Sequence, residues 1–125
     1  MLVLPNCPDP PIATVNVVAS TRVKLDRCWI DGFDVPSTAI RVAGITAQGG
    51  VELRRTLAGG HDLGILIEDC VPGSVRVQRC YANYNNGTGI LLQNTDGIEL
   101  KRNAVAQNTS NGIVLGSGTL ARQFA

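Results

Sequence analysis

The chain has 125 residues, the size of one modest domain, and 44% of them are apolar, enough for a packed core. Eleven Lys and Arg against ten Asp and Glu leave a net charge of +1, so no global field draws the chain to nucleic acid or to a membrane surface. With 4% aromatics, 14 Gly and 6 Pro, the composition is turn-rich and disfavours helical bundles and coiled coils. Apolar runs are only a few residues long, too short for a transmembrane helix. Met1-Leu2-Val3-Leu4 lacks a basic region and meets Pro5 at once, so no signal peptide is expected and the compartment stays open.

In chain order, residues 1–13 carry Pro5, Pro8, Pro10 and Pro11 and read as a cap shielding the first strand edge. Thr14-Val15-Asn16-Val17 then opens a repeat. Stronger copies start at residues 39, 64, 89 and 112: Ala39-Ile40-Arg41-Val42, Gly64-Ile65-Leu66-Ile67, Gly89-Ile90-Leu91-Leu92 and Gly112-Ile113-Val114-Leu115. A second motif follows each: Val23-Lys24-Leu25-Asp26-Arg27-Cys28, Val51-Glu52-Leu53-Arg54-Arg55-Thr56, Val75-Arg76-Val77-Gln78-Arg79-Cys80 and Ile98-Glu99-Leu100-Lys101-Arg102-Asn103. Both motifs alternate apolar and polar residues, the period-2 signature of strands with one face inward. Gly, Asn, Asp, Thr and Ser clusters between them read as turns. Two strands per repeat at a period near 25 residues predict an all-β parallel solenoid of about five rungs over 14–118. Residues 119–125 are left as a tail or cap.

The phrase Gly-Ile-x-Leu followed by Val-x-Leu-x-Arg-Cys/Asn resembles the repeat of right-handed parallel β-helix proteins, the pectate-lyase-like superfamily. The resemblance covers about residues 14–118. It implies a right-handed parallel β-helix and a superfamily that ranges over polysaccharide lyases, polygalacturonase-like hydrolases, phage tailspikes and proteins of other roles.

Equivalent positions in a solenoid form columns. Val23, Val51, Val75 and Ile98 form one core column, Leu25, Leu53, Val77 and Leu100 a second, and Ile40, Ile65, Ile90 and Ile113 a third. Cys28, Thr56, Cys80 and Asn103 fall at the inward corner, which in the superfamily often carries an asparagine ladder; Asn85 and Asn108 form a second partial ladder. Cys28 and Cys80 lie two rungs apart, about 9.6 Å at sheet spacing, too far for a disulfide. Cys7 and Cys70 receive no place, and the lack of an obvious bridge favours a reducing compartment.

The sharpest surface feature is the column Arg27, Arg55, Arg79 and Arg102, with Arg54 and Lys101 one residue earlier. Cations about 4.8 Å apart repel, so salt, neighbouring acids or an anionic ligand must offset them. The stripe reads either as a grip for an acidic polysaccharide, for which bidentate Arg is suited, or as a solvated face inherited by duplication. The column Lys24, Glu52, Arg76 and Glu99 alternates in sign and compensates itself. Leu66, Leu91 and Val114 sit between inward residues and are expected to point outward, either as a homo-oligomer interface or under a covering loop.

No catalytic constellation is complete. Asn94-Thr95-Asp96-Gly97-Ile98 is similar to a string of polygalacturonases, but the next rung offers no acid pair, so glycoside hydrolysis lacks its couple and Asp96 reads as a turn residue. His61, the single histidine, is expected in a loop at Gly59-Gly60-His61-Asp62. Asp62, Glu68 and Asp69 with Arg79 as base make a thin lyase site. No metal or cofactor is expected. The leading expectation is a small non-catalytic module, structural or carbohydrate-associated. An enzyme acting on acidic polysaccharide and a phage tail or surface fibre segment are the alternatives.

Overall fold

A computed structural model describes residues 13–19, 22–95, 97–115 and 123–124, with the backbone alone described at 33, 34, 123 and 124. The expected cap, apart from Ala13, lies outside the described residues, as do Cys7, Asp96 and most of the C-terminal tail.

Twelve strands follow one another: β1 (Ala13–Val18), β2 (Val23–Asp26), β3 (Trp29–Ala43), β4 (Val51–Arg54), β5 (Leu57–Glu68), β6 (Val75–Gln78), β7 (Tyr81–Asn83), β8 (Ile90–Gln93), β9 (Glu99–Lys101), β10 (Ala104–Ala106), β11 (Ile113–Leu115) and β12 (Gln123–Phe124). All their pairings are parallel, and the described residues contain no helix. Two sheets result. One holds β1, β3, β5, β7 and β10 in order, with β8 and β11 continuing from β5; the other runs β12-β9-β6-β4-β2. The molecule is a parallel β-solenoid of about four turns.

The register matches the periodicity residue for residue. Val15 pairs Ile40, Ile40 pairs Ile65, Ile65 pairs Ile90 and Ile90 pairs Ile113. In the second sheet Val23 pairs Val51, Val51 pairs Val75, and Val77 pairs Leu100. Alternation puts one face of each strand inside, and Ile40, Leu53, Ile65, Val77, Ile90 and Leu100 are buried in one continuous cluster. Each such aliphatic contributes about 1.5–3 kcal/mol of burial. The columns thin out at their ends: Val23 and Leu25 are half-buried, and Ile113 is 37% exposed. Ile113 was expected in the core, but β11 pairs with β8 alone.

A third strand per turn was not foreseen. Trp29–Asp31, Leu57–Gly59, Tyr81–Asn83 and Ala104–Ala106 stack in register. In the first and second turns this segment runs straight on into the following turn, giving the long strands β3 and β5, with irregularities between Asp31 and Thr38.

Left-handed residues mark the corners in vertical lines: Ala19, Gly44, Asp69 and Asn94; Arg27, Arg55, Arg79 and Arg102; Gly49, Gly73 and Gly97; Gly60, Tyr84 and Gln107. A non-glycine residue at positive φ costs about 1–2 kcal/mol, so each corner needs support. Polar ladders supply it. Asn85 Oδ1 accepts from His61 N (3.2 Å), and Asn108 Oδ1 accepts from Asn85 N (3.1 Å) and Asn85 Nδ2 (2.9 Å). Cys80 N donates to Asn103 Oδ1 (2.9 Å) and Cys28 N to Thr56 Oγ1 (3.4 Å). Cys70 joins a further ladder, its N–H donating to Thr95 Oγ1 (2.9 Å).

His61 is therefore not a loop residue. It is 2% exposed inside β5, one ladder position before Asn85. Its Nδ1 donates to Gly59 O (2.6 Å), and its Nε2 meets Thr14 Oγ1 (2.7 Å). Cys28, Cys70 and Cys80 are free thiols. Burial pushes the Cys80 thiol up to about 11 and also raises that of Cys70.

Candidate functional site: the arginine corner

The four arginines occupy the corner between the second and third strands of each turn. All four have positive φ, from 46° to 58°. The backbone locks them in line: Arg27 N donates to Arg54 O (3.1 Å), Arg55 N to Gln78 O (3.0 Å) and Arg79 N to Lys101 O (3.0 Å). Arg27, Arg79 and Arg102 are exposed; Arg55 is half-buried. Arg54 and Lys101 lie on the adjoining strand column, in register as Asp26, Arg54, Gln78 and Lys101.

Acids offset part of the charge. Arg55 grips Asp26 in a bidentate pair, Nε to Oδ1 at 3.0 Å and Nη2 to Oδ2 at 2.8 Å. That hydrogen bonding, with the charges of Arg27 and Arg54 nearby, holds the Asp26 carboxyl below its ordinary value of 3.8 against the opposing effect of desolvation. Arg54 contacts Glu52 at 3.4 Å. Among the described residues of this corner, the ion pairs leave Arg27, Arg79, Arg102 and Lys101 without an acid partner. Within the corner column the uncompensated charge therefore lies on both sides of the Arg55–Asp26 pair.

Two hollows flank the corner and share Arg79. On the strand side, Arg54, Gln78, Arg79, Lys101 and Arg102 enclose about 150 Å³. On the other side a wider hollow of about 470 Å³ is lined by Arg27, Arg55 and Arg79 along one edge and by Trp29, Leu57 and Tyr81 along the floor. Trp29 is 75% exposed and Tyr81 50%. Sequence reasoning missed both aromatics. The signal was present, since each stands two residues after a corner arginine, but the strand that carries them was not recognised.

Other expected features resolve differently. Leu66, Leu91 and Val114 do form one column, continuing Asn16 and Arg41, but they are half-buried rather than exposed. Arg41 bridges from that column to Glu68 (3.3 Å) and Asn16 (3.1 Å). The alternating column is in register as expected, with Arg76 on Glu99 at 2.9 Å. In the thin acidic cluster, Glu68 is engaged by Arg41 and Asp69 accepts from Asn94 (2.7 Å). Among the described residues no three His, Cys, Asp or Glu side chains gather as metal ligands.

No protein-family model, no curated protein and no solved structure matches this chain.

Proposed function

We propose that the chain is a non-catalytic β-solenoid module that binds an acidic polysaccharide along its arginine corner. The observation that carries this reading is the line of corner arginines, with Arg27, Arg79, Arg102 and Lys101 unpaired by acid among the described residues, on a backbone that fixes their spacing. Arginines anchored at strand spacing by the backbone suit a polymer with regularly repeated carboxylates. The likeness of the repeat to right-handed parallel β-helix, pectate-lyase-like proteins favours carbohydrate as the polymer. The engagement of Glu68 and Asp69 by their neighbours speaks against a lyase site built on them.

The test is calorimetric titration of carboxylated and sulfated oligosaccharides, with absorbance followed for an unsaturated product. The module reading expects binding that weakens with salt, no product, and a loss of about tenfold or more for Arg79→Glu. Salt-insensitive or undetectable binding removes it, and product formation replaces it with the enzyme reading.

A second reading, a homo-oligomeric fibre segment, is favoured by Ile113 and Leu115, which are 37% and 46% exposed on the last turn's first-sheet strand. Mass measured in solution tests it; a monomer at high concentration argues against it.

A further inference from the structure

The geometry points to the strand-side hollow as a binding site for one doubly charged tetrahedral oxyanion of the phosphate type, enclosed by Arg54, Gln78, Arg79, Lys101 and Arg102. The inference goes beyond the polysaccharide reading and does not depend on it, since it uses the lining of this hollow and not the line of corner arginines as a whole. That lining comes from three successive turns. Arg54 pairs Gln78 and Gln78 pairs Lys101, while Arg79 and Arg102 each follow one residue later, at the left-handed corner. At about 150 Å³ the hollow is smaller than the roughly 300–1,000 Å³ of pockets that enclose a whole organic ligand. All five lining side chains carry hydrogen-bond donors, and four of them are cationic. Such a space takes a single charged group and offers an apolar ring no wall to lie on.

Charge selects the occupant. The acids of β2, β4 and β9 are all engaged: Asp26 by Arg55 at 2.8 Å, Glu52 by Arg54 at 3.4 Å and Glu99 by Arg76 at 2.9 Å. Arg79, Lys101 and Arg102 have no acid partner among the described residues, and all three line this one space. Lys101 is half-buried, so salt screens its charge less than that of a free surface cation. Like charges gathered around one hollow repel, and an anion seated among them relieves each repulsion. A carboxylate brings one negative charge, whereas a phosphate monoester brings about 1.5 to 2 near neutral pH. Shape adds to charge. The two oxygens of a carboxylate lie in one plane and suit a single Arg fork, while phosphate presents three acceptor oxygens in different directions. The donors here come from both sides of the corner and from three turns, which matches the second pattern. Gln78 adds amide N–H donors without adding charge. The backbone carbonyls alongside do not claim these side chains: Gln78 O accepts from Arg55 N and Lys101 O from Arg79 N, each at 3.0 Å.

The test follows the backbone N–H signals of Gln78, Arg79, Lys101 and Arg102 by NMR during titration with glucose 6-phosphate, inorganic phosphate, inorganic sulfate and acetate. Shifts should gather at these four residues, and glucose 6-phosphate should bind at least about tenfold tighter than acetate. From about pH 7.5 to about pH 5.5 its affinity should fall about threefold, because the second ionisation of a phosphate monoester lies near pH 6; sulfate, doubly charged throughout, should keep its affinity. Lys101→Gln and Arg102→Gln should each weaken binding by about fivefold to tenfold, and Lys101→Arg should restore it. Arg102 is exposed, so its variant retains the fold. Lys24→Gln removes the same charge from an exposed position in β2 that does not line the hollow, and should change affinity less than about twofold. Equal affinity for the free ion and the sugar phosphate assigns free phosphate, and tighter binding of the sugar phosphate assigns the ester; both bear out the site. Acetate binding as tightly as phosphate, a loss in Lys24→Gln equal to that in Lys101→Gln, or no shift with any of these anions overturns it. Phosphate binding at the hollow without binding of carboxylated oligosaccharides overturns the polysaccharide reading and leaves this site standing.

Discussion

Replacing Asn85 by alanine removes the centre of the best-formed corner ladder. Asn85 is 1% exposed. Its carboxamide accepts from His61 N at 3.2 Å and donates to Ala58 O at 3.3 Å and Asn108 Oδ1 at 2.9 Å. In Asn85→Ala the His61 N–H and the Ala58 carbonyl stay buried with no side-chain partner in reach. Each orphaned group costs about 1–3 kcal/mol, so the variant should lose about 2–5 kcal/mol. At about 4 °C per kcal/mol for a domain of this size, the melting temperature should drop by about 8–20 °C. Asn108, in the next turn, is half-buried and its Nδ2 donates to Ala82 O at 3.0 Å; Asn108→Ala should cost roughly half as much. Urea unfolding followed by circular dichroism gives both values from the midpoint at constant m. A loss below about 1 kcal/mol in Asn85→Ala, or a larger loss in Asn108→Ala, would refute the view that these side chains hold the corner.

Further expectations bear on the core, the corners and titration. Ile65→Ala should cost about 2–5 kcal/mol, and Ile113→Ala distinctly less, although the two share a column, because Ile65 is fully buried and Ile113 is 37% exposed; equal losses would contradict the exposed last turn. Gly60→Ala should unfold or severely destabilise the chain, since its φ is +70° and a Cβ would collide with the Gly32 backbone, while Gly44→Ala (φ +65°, open space) should lose only about 1–2 kcal/mol. The Arg55 pair holds the Asp26 carboxyl low, so its contribution is complete above the ordinary value of 3.8 and is lost as pH falls below it. Acid unfolding should therefore be shallower in Asp26→Asn than in the parent; an unchanged acid limb contradicts the pair. Among the thiols, Cys28 is half-buried and should react with iodoacetamide before buried Cys70 and Cys80, as read by peptide mass mapping.

Sequence periodicity carried most of the fold because a solenoid turns vertical neighbours into a fixed spacing. The pairings of Ile40 with Ile65, of Glu52 with Arg76 and of Arg54 with Gln78 follow the aligned motifs directly. The third strand escaped because three residues are too few to show alternation, and Gly59-Gly60 reads as a turn when it is the interior of β5. His61 looked like a loop residue for the same reason, although its distance to Asn85 equals the period from Leu57 to Tyr81. Exposure was harder to read than register. Leu66, Leu91 and Val114 lie on the outward side as alternation demands, yet neighbouring side chains leave them half-covered. The corner arginines were visible as a column, whereas Asp26 as the partner of Arg55 depended on a contact between turns that spacing alone does not specify.

The most direct measurement is disulfide formation between cysteines placed on the alternating column. Cα atoms one strand step apart lie about 4.8 Å from each other, within the range a disulfide accepts, and two steps apart about 9.6 Å, outside it. Glu52→Cys/Arg76→Cys should cross-link rapidly on mild oxidation, confirmed by peptide mapping, and Glu52→Cys/Glu99→Cys should not. Cross-linking of the 52/99 pair as fast as the 52/76 pair would mean that successive turns are not stacked in this register, and that the corner arginines do not form a line.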